Sequence, residues 1–255
     1  MPAPKTPDRP RVLILGGTTE GYALAETLAA GGRWAPVSSL AGRTANPRPP
    51  AGAMRVGGFG GPEGLTRWLI DEGIAAVIDA THPFASRMGW NAATACADSG
   101  VPLLRLERPK WQPGPGDAWT LVGDWDGAVE ALRETGARRV LLAVGRQEVA
   151  PFAVLSDVWM LIRSVQAPEP MPPFARAEVR LARGPFSLAD ETALLRDRAI
   201  DTIVCKNSGG ATDAKLTAAR ALGVRVVMRD RPRRPETATV PTVVAAAEWL
   251  DGLSL

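Results

Sequence analysis

The chain of 255 residues is long enough for one large α/β domain or for two smaller domains, each with its own buried core. Its composition, with 45% apolar residues, 22% charged residues and a net charge of +3, is that of an ordinary soluble protein, and no apolar run is long enough to cross a membrane. No charged-then-apolar leader precedes the first strand, and the two cysteines are not in a metal-binding spacing, so we expect a cytoplasmic protein without a metal.

Residues 1–10 are rich in proline and polar side chains, and we predict that they form a disordered tail. From there apolar strands alternate with helices, which is the pattern of parallel sheets covered by helices. In the first half the pattern predicts, in chain order, strand 12–15, helix 20–30, strands 35–39 and 54–56, helix 62–72, strand 75–79, helix 84–99 and strand 103–106. In the second half it predicts helix 125–134, strands 139–144 and 158–164, helix 188–198, strand 202–205, helix 213–221, strand 224–228 and helix 243–250.

Two segments match each other without a gap: GVPLLRLERP at 100–109 and GVRVVMRDRP at 223–232. Each follows a strand, a polar turn and a helix, and each precedes a loop, an extended segment and another helix. The match predicts two Rossmann-like lobes with parallel sheets and three layers each, one over residues 11–112 and one over 113–255, with a ligand cleft between them. Because the terminal strands and helices of the two copies resemble each other, each pair can pack on its own sheet or on the neighbouring one.

The glycine turn after the first strand indicates a nucleotide site. Residues 16–21, GGTTEG, open the first helix, so that backbone N–H groups and the positive end of the helix dipole can approach a pyrophosphate. In the fingerprint G-x-G-x-x-G, Thr18 replaces the middle glycine; it adds a hydroxyl donor but limits close approach of the backbone. The alternative is a tight strand-to-helix connection that binds nothing.

The end of the second strand favours NADPH over NADH. A Rossmann protein that uses NAD usually has Asp or Glu about 20 residues after the glycines, whereas this chain has Ser38 and Ser39, followed by Arg43. Hydroxyls and a guanidinium suit a ribose 2′-phosphate, because arginine donates a planar pair of hydrogen bonds to it and a carboxylate would repel it. The alternative for Arg43 is a solvated arginine in a loop.

Two further polar turns follow strands, at the edge where an α/β sheet binds its ligand. DATHPFA, residues 79–85, contains the single histidine; Thr81 and His82 can hold a nicotinamide or a substrate carboxylate, and His82 is a candidate proton donor. KNSGG, residues 206–210, combines a lysine, short polar side chains and two glycines into a nest for an anion. The alternatives are a helix cap in which His82 only packs, and a flexible turn with a solvated lysine.

Basic side chains cluster near strand ends without aromatic residues interleaved on a strand face, which favours a small polyanion over nucleic acid. Trp111, beside Arg108 and Lys110, can cover a flat conjugated ring or is a tryptophan pinned in a linker. The sequence lacks the Tyr-x-x-x-Lys pair, the G-x-S-x-G elbow and the P-loop. A reaction that needs only hydride from a cofactor and electrostatic positioning of the substrate remains.

Together these motifs resemble the precorrin-6A reductases, a family that includes cobalt-precorrin-6A reductases. The resemblance extends from residue 11 to about residue 232 and rests on GGTTEG at 16, DATHPFA at 79, RLERPKW at 105, GR at 145 and KNSGG at 206, in the family's order. It implies an enzyme of cobalamin biosynthesis that uses NADPH to reduce one ring double bond of precorrin-6A, a macrocycle with many carboxylates, giving precorrin-6B.

The resemblance also implies a role for each matching residue. The turn for the pyrophosphate and ribose consists of Gly16, Gly17, Thr18, Thr19, Glu20 and Gly21. We expect Ser38 and Arg43 at the 2′-phosphate, and Thr81 and His82 at the nicotinamide or the substrate edge. The substrate-binding residues are Arg108, Lys110, Arg146, Lys206, Asn207, Ser208, Arg229 and Arg231. Bound water is as good a candidate for the proton donor as His82.

Three alternatives remain at this stage. They are a cobalt-precorrin-6A reductase, another NADPH reductase of a conjugated carboxylate, and a non-catalytic protein that binds a tetrapyrrole or a nucleotide. The expected partner is a small tetrapyrrole, with neither nucleic acid nor membrane, and contacts with neighbouring enzymes of the pathway are a further expectation.

Overall fold

The computed structural model describes residues 9–42 and 48–254, which form two compact units. One unit runs to Pro109 and resumes at Pro232, and the other spans Lys110–Arg231. Each contains a sheet of six strands, and every strand pair is parallel. The α/β fold with two parallel sheets that the sequence predicted is therefore confirmed.

The elements are numbered in chain order. Up to the second unit they are β1 (Arg11–Leu15), α1 (Thr19–Gly31), β2 (Ala35–Leu40), β3 (Ala53–Val56), α2 (Pro62–Asp71), β4 (Ile74–Asp79), α3 (Ser86–Ser99) and β5 (Leu103–Leu106). They continue with β6 (Trp119–Val122), α4 (Trp125–Glu134), β7 (Arg139–Ala143), β8 (Trp159–Ser164), β9 (Ala177–Leu181), α5 (Leu188–Asp197), β10 (Thr202–Lys206), α6 (Ala214–Leu222), β11 (Arg225–Arg229), β12 (Thr239–Val240) and α7 (Val243–Asp251).

The first sheet has the strand order β12-β5-β4-β1-β2-β3 and is covered on both faces. Along β1, Val12 and Ile14 pack with residues of α1 and α7, whereas Leu13 and Leu15 pack with residues of α2 and α3. Because β1 is buried on both faces, neither face calls for polar side chains, and residues 12–15 are all apolar. The second sheet has the order β6-β11-β10-β7-β8-β9.

The terminal strands of the two repeated segments are exchanged between the sheets. In the repeat β6 follows β5 and β12 follows β11, yet β6 pairs with β11 and β12 pairs with β5. Within residues 113–255, the predicted second lobe, the repeat left open where the terminal strand and helix pack; β12 pairs in the first sheet and α7 packs against it. Burial of Ala246 and Leu250 of α7 in the core of the first unit stabilises this arrangement.

The structure differs from two other expectations, one at the N-terminal tail and one at an edge strand. The tail predicted over residues 1–10 ends earlier, because the Pro10 carbonyl accepts a hydrogen bond from the N–H of Ala35 (3.0 Å); residues 1–8 lie outside the described residues. Strand β9 was not predicted, since it lies at the edge of its sheet, where polar and charged side chains interrupt the apolar pattern.

The ionisation of Asp117, just before β6, makes the stability of the folded state depend on pH. Its carboxylate accepts hydrogen bonds from Nε and Nη2 of Arg220 (2.9 and 2.7 Å) and from the N–H of Gly114 (2.8 Å). The hydrogen bond from Arg220 holds the pKa of Asp117 below its ordinary value. The ionised form therefore favours the folded state above the unfolded-state pKa of about 4, and this contribution is lost as the pH falls through the folded-state pKa.

We expect Asp117→Asn to unfold at a lower urea concentration than the parent at pH 7, with a difference that shrinks below about pH 4. Urea unfolding of both proteins at pH 7 and pH 3 measures it. Asp197→Asn, at an exposed position in the last turn of α5, is the matched control, and its difference from the parent is expected to be small at both values. A constant Asp117→Asn difference across this range would contradict the prediction.

Candidate functional site

The glycine turn lies between β1 and α1, at the carboxyl edge of the first sheet. Gly17 has a φ of +108°, which L side chains rarely adopt, and a Cβ there would meet no atom within 4 Å. Gly21 passes close to the sheet, because a Cβ there would lie 3.4 Å from the Cα of Gly16 and 3.5 Å from the Cβ of Ala80. Thr19 is the first residue of α1, so the turn leads directly into the helix N-terminus.

Thr18 joins the glycine turn to the neighbouring polar turn. Its hydroxyl donates a hydrogen bond to the carbonyl of Ala80 (2.7 Å) and accepts one from the N–H of Gly21 (3.2 Å), so it caps α1. A hydroxyl has a single proton, and here Ala80 receives it. In this arrangement Thr18 offers a phosphate its backbone N–H rather than its side chain.

Arg108 reaches the glycine turn from the end of β5. Its Nη1 lies 2.7 Å from Oε2 of Glu20 in the first turn of α1, and both side chains are mostly buried. The sequence placed Arg108 with the substrate-binding residues, and the structure brings its guanidinium to the start of α1. The pair neutralises the charge of Glu20, a carboxylate at the positive end of the helix dipole.

At the end of β2 the two serines point to opposite faces of the strand. Ser38 is 2% exposed, and within residues 9–42 and 48–254 its hydroxyl oxygen has no hydrogen-bond partner. Ser39 accepts a hydrogen bond from Nη1 of Arg55 (2.8 Å), a residue of β3 that the sequence reasoning missed. Arg43, the second residue predicted at the 2′-phosphate, lies outside the described residues.

The DATHPFA turn is organised by Asp79, which is 1% exposed at the end of β4. Its Oδ1 accepts hydrogen bonds from the N–H (3.1 Å) and the hydroxyl (2.6 Å) of Thr81. Nδ1 of His82 accepts a hydrogen bond from the N–H of Phe84 (3.2 Å), so the neutral imidazole carries its proton on Nε2. The turn thus fixes both side chains that the sequence singled out.

Arg234 holds the returning C-terminal segment against this turn. Its Nη2 donates to Oδ2 of Asp79 (2.5 Å) and to the Thr81 hydroxyl (3.1 Å), and its Nη1 lies 3.1 Å from Oε2 of Glu107. The side chain is 5% exposed, and a Cβ on Gly89 would lie 2.7 Å from Nη2 of Arg234. The sequence showed Arg234 only as one arginine in a basic run, with no signal of its partners.

The cysteines do not supply a reactive thiolate. Burial, with a smaller contribution from the Asp79 carboxylate, raises the pKa of Cys96 to about 12. Burial also raises the pKa of Cys205. Both thiols therefore stay protonated near neutral pH.

In the second unit the basic residues at the ends of β10 and β11 share one carboxylate. Glu148 forms an ion pair with Lys206, lies 3.5 Å from Nη1 of Arg229 and accepts a hydrogen bond from Nε1 of Trp125 (3.3 Å). Arg146 lies next to it in a short 3-10 helix, Arg146–Glu148, that follows β7. The structure thus brings two of the predicted substrate-binding residues, Lys206 and Arg229, together at one carboxylate.

Other residues of the predicted set hold the KNSGG turn in place. The side chain of Asn207, 3% exposed, accepts a hydrogen bond from the N–H of Trp111 (2.9 Å) and donates one to its carbonyl (3.0 Å). Arg231 donates to the carbonyls of Asn207 (3.0 Å) and Ser208 (3.3 Å). Lys110 pairs with Asp230 at 2.7 Å.

Trp111 is held in place from several sides. Its Nε1 donates to the carbonyl of Gly210 (2.7 Å), and the ammonium of Lys215 lies 4.4 Å from the ring centroid. Of the two sequence-based readings, the pinned linker tryptophan agrees with these contacts.

Residues 9–42 and 48–254 contain no cluster of His, Cys, Asp or Glu that could hold a metal ion, and none of their helices could span a membrane.

This chain is similar to known proteins of one family. Residues 11–251 match the family described as precorrin-6x reductase CbiJ/CobK. The chain is similar to a precorrin-6A reductase of Sinorhizobium sp. (51% identity over 97% of this chain and 94% of the relative) and to one of Rhodococcus erythropolis (49% identity over 96% and 98%). A cobalt-precorrin-6A reductase of Priestia megaterium is 29% identical over 67% of this chain and 71% of the relative. A solved structure of CobK precorrin-6A reductase superimposes with a TM-score of 0.89, at 45% identity and with 95% and 96% of the two chains covered.

Proposed function

The chain belongs to the precorrin-6x reductase family CbiJ/CobK, and from that premise we propose that it is an NADPH-dependent precorrin-6A reductase of cobalamin biosynthesis. The similarity to relatives named precorrin-6A reductase carries the proposal, since identities of 46–51% hold over nearly the whole chain. Relatives named cobalt-precorrin-6A reductase are 29% identical. This difference favours the metal-free macrocycle as the substrate.

The residues of the first unit fit a dinucleotide. The turn with Gly17 leads into α1, where backbone N–H groups and the helix dipole favour a pyrophosphate, and the ion pair of Arg108 with Glu20 balances the negative charge of that carboxylate beside it. NADPH, when bound there, supplies the hydride that reduces one double bond of the macrocycle to precorrin-6B, with a proton taken up at the neighbouring carbon. We assign the pyrophosphate and ribose to residues 16–21 and the 2′-phosphate edge to the end of β2 and Arg43.

In this proposal the residues of the chain bind the substrate and orient it for delivery of the proton. We assign Lys206, Arg146 and Arg229 to the carboxylates of the substrate, since Lys206 and Arg229 share the single carboxylate of Glu148, while Asn207 and Arg231 keep the KNSGG turn in shape. Such positioning of two reactants is a large part of the rate acceleration in a reaction of this kind. His82 is our candidate for positioning the reacting edge of the substrate, because its Nδ1 accepts a hydrogen bond and its Nε2–H can donate one, while the proton itself comes from solvent through a bound water.

The purified protein incubated with precorrin-6A and NADPH tests this function. We expect NADPH absorbance to fall in step with conversion of the macrocycle, one equivalent for each, and kcat/KM to be about tenfold or more higher with NADPH than with NADH, the size of one lost charge-assisted contact. Cobalt-precorrin-6A in a parallel reaction distinguishes the two substrates. Binding of the macrocycle without oxidation of NADPH would support a non-catalytic binding protein, and equal use of NADH would remove the cofactor assignment.

A further inference from the structure

Arg55 is connected to the glycine turn through hydrogen bonds to one residue, Ser39. The carbonyl of Ser39 accepts a hydrogen bond from the N–H of Gly16 (3.0 Å), and the hydroxyl of Ser39 accepts one from Nη1 of Arg55 (2.8 Å). Ser39 is therefore bonded to the start of the turn through its backbone and to the guanidinium through its side chain. In the register of the sheet, Ser39 pairs with Leu15 of β1 on one side and with Arg55 of β3 on the other.

The guanidinium plane of Arg55 is fixed. Nη1 also donates to the carbonyl of Gly57 (3.1 Å) and Nη2 to that of Gly58 (3.0 Å), while the guanidinium carbon lies 3.7 Å from the ring centroid of Phe59. A stacked and hydrogen-bonded arginine loses little conformational freedom when it binds an anion. The glycine loop of residues 57–61 thus holds Arg55 in one orientation.

Arg55 also carries a charge that the described residues do not neutralise. Of the arginines in the first unit, Arg105, Arg108 and Arg234 each lie within 4.0 Å of a carboxylate oxygen. No carboxylate among residues 9–42 and 48–254 forms such a pair with Arg55, although burial lowers its pKa. A partly desolvated cation is stabilised by an anion that comes from outside the chain.

Building on the proposed function, we propose that Arg55, positioned by Ser39 and the ring of Phe59, binds the ribose 2′-phosphate of NADPH and selects it over NADH. The end of the second strand is where Rossmann proteins read the 2′ position of the ribose. The site has a planar donor group and no carboxylate within ion-pair distance in the described structure, so it attracts a dianion that a bare 2′-hydroxyl does not provide. Ser38, by contrast, points into the core from the other face of β2.

Binding of nucleotide fragments, measured by calorimetry without turnover, tests the proposal. The probes are adenosine 2′,5′-bisphosphate and adenosine 5′-monophosphate, followed by NADP⁺ and NAD⁺. We expect Arg55→Gln to weaken binding of the two 2′-phosphorylated probes by about tenfold or more, and to change binding of the other two by less than about twofold. Arg67→Gln, which removes an exposed arginine of α2, is the matched control and leaves all four affinities unchanged.

Ser39→Asp provides a second, independent variant. It places a carboxylate beside Arg55, which neutralises the guanidinium and repels a 2′-phosphate, so the preference for NADP⁺ over NAD⁺ falls about tenfold or more while Arg55 stays in place. Circular dichroism verifies that each variant is folded, and if Arg55→Gln is unfolded, Arg55→Lys, which keeps the charge but not the planar pair of donors, takes its place.

An unchanged ratio of the two fragment affinities in the folded variants would overturn the role of Arg55 and leave the reductase function standing. A parent protein that binds neither NADP⁺ nor NAD⁺ would overturn both.

Discussion

Arg234→Met is expected to lower the free energy of unfolding by about 3–5 kcal/mol, the usual cost of removing one partner from a buried ion pair. The side chain is 5% exposed and its guanidinium faces both Asp79 and Glu107. Methionine fills much of the same space but leaves two carboxylates without this cation. Since Asp79 also holds Thr81, we expect the reductase activity to fall together with stability. Urea unfolding and initial rates measure the two effects.

Two further variants separate the ion pair from general damage. Arg233→Met changes the exposed neighbour and should alter the free energy of unfolding by less than about 0.5 kcal/mol. Asp79→Asn combined with Arg234→Met should cost clearly less than the two single changes together, because the second change removes a charge that the first left unpaired. Additive effects in this cycle would show that the pair is not coupled.

Gly64→Ala is expected to destabilise the first unit by about 2 kcal/mol. A Cβ on Gly64 would lie 1.8 Å from the carbonyl oxygen of Phe59, a distance that no relaxation of a side chain relieves. Overpacking costs about 1–3 kcal/mol, and so close a contact with backbone belongs at the upper end, from which the better helix propensity of alanine offsets about 1 kcal/mol. Urea unfolding measures the change. Because the backbone of residue 59 has to move, the loop that orients Arg55 moves with it.

Gly58→Ala, in the same loop, is the matched control. A Cβ at this position would meet no atom within 4 Å, and its φ is not positive. We expect a change of less than about 0.5 kcal/mol. If Gly58→Ala and Gly64→Ala had equal effects, the close approach of the Phe59 carbonyl to α2 would not be the cause.

The sequence predicted the inner strands of both sheets well because these strands are buried on both faces. Strands such as β1 and β10 have buried apolar residues at successive positions and end in glycine or polar turns, and their predicted bounds agree with the structure to within a residue. The edge strands have no such signal: β9 has exposed and charged positions, and β12 is two residues long. Which sheet a terminal strand joins depends on packing far away in the chain, and the repeat alone left it open.

The sequence predicted the turns of the candidate site but not the side-chain contacts that hold these turns. The glycine turn, DATHPFA and KNSGG were recognised from local patterns, and the family resemblance that they indicated is confirmed. The interactions of Asp79 with Arg234 and of Ser39 with Arg55 join residues that are 155 and 16 positions apart, so no local pattern reports them. The assignment of individual residues to coenzyme and substrate stays a prediction.

The exchange of β6 and β12 has a consequence for the order in which the chain folds as it is synthesised. The outer edge of β5 stays unpaired until a much later segment of the chain has been synthesised. The hydrogen bond from the Arg105 side chain to the Pro235 carbonyl, for example, spans 130 residues. Strand β6, the counterpart of β12 in the repeat, is synthesised first, and we expect it to be the segment that can pair wrongly with that edge. Slow pairing over such a distance exposes an open strand edge in the nascent protein, where misassembly and aggregation begin.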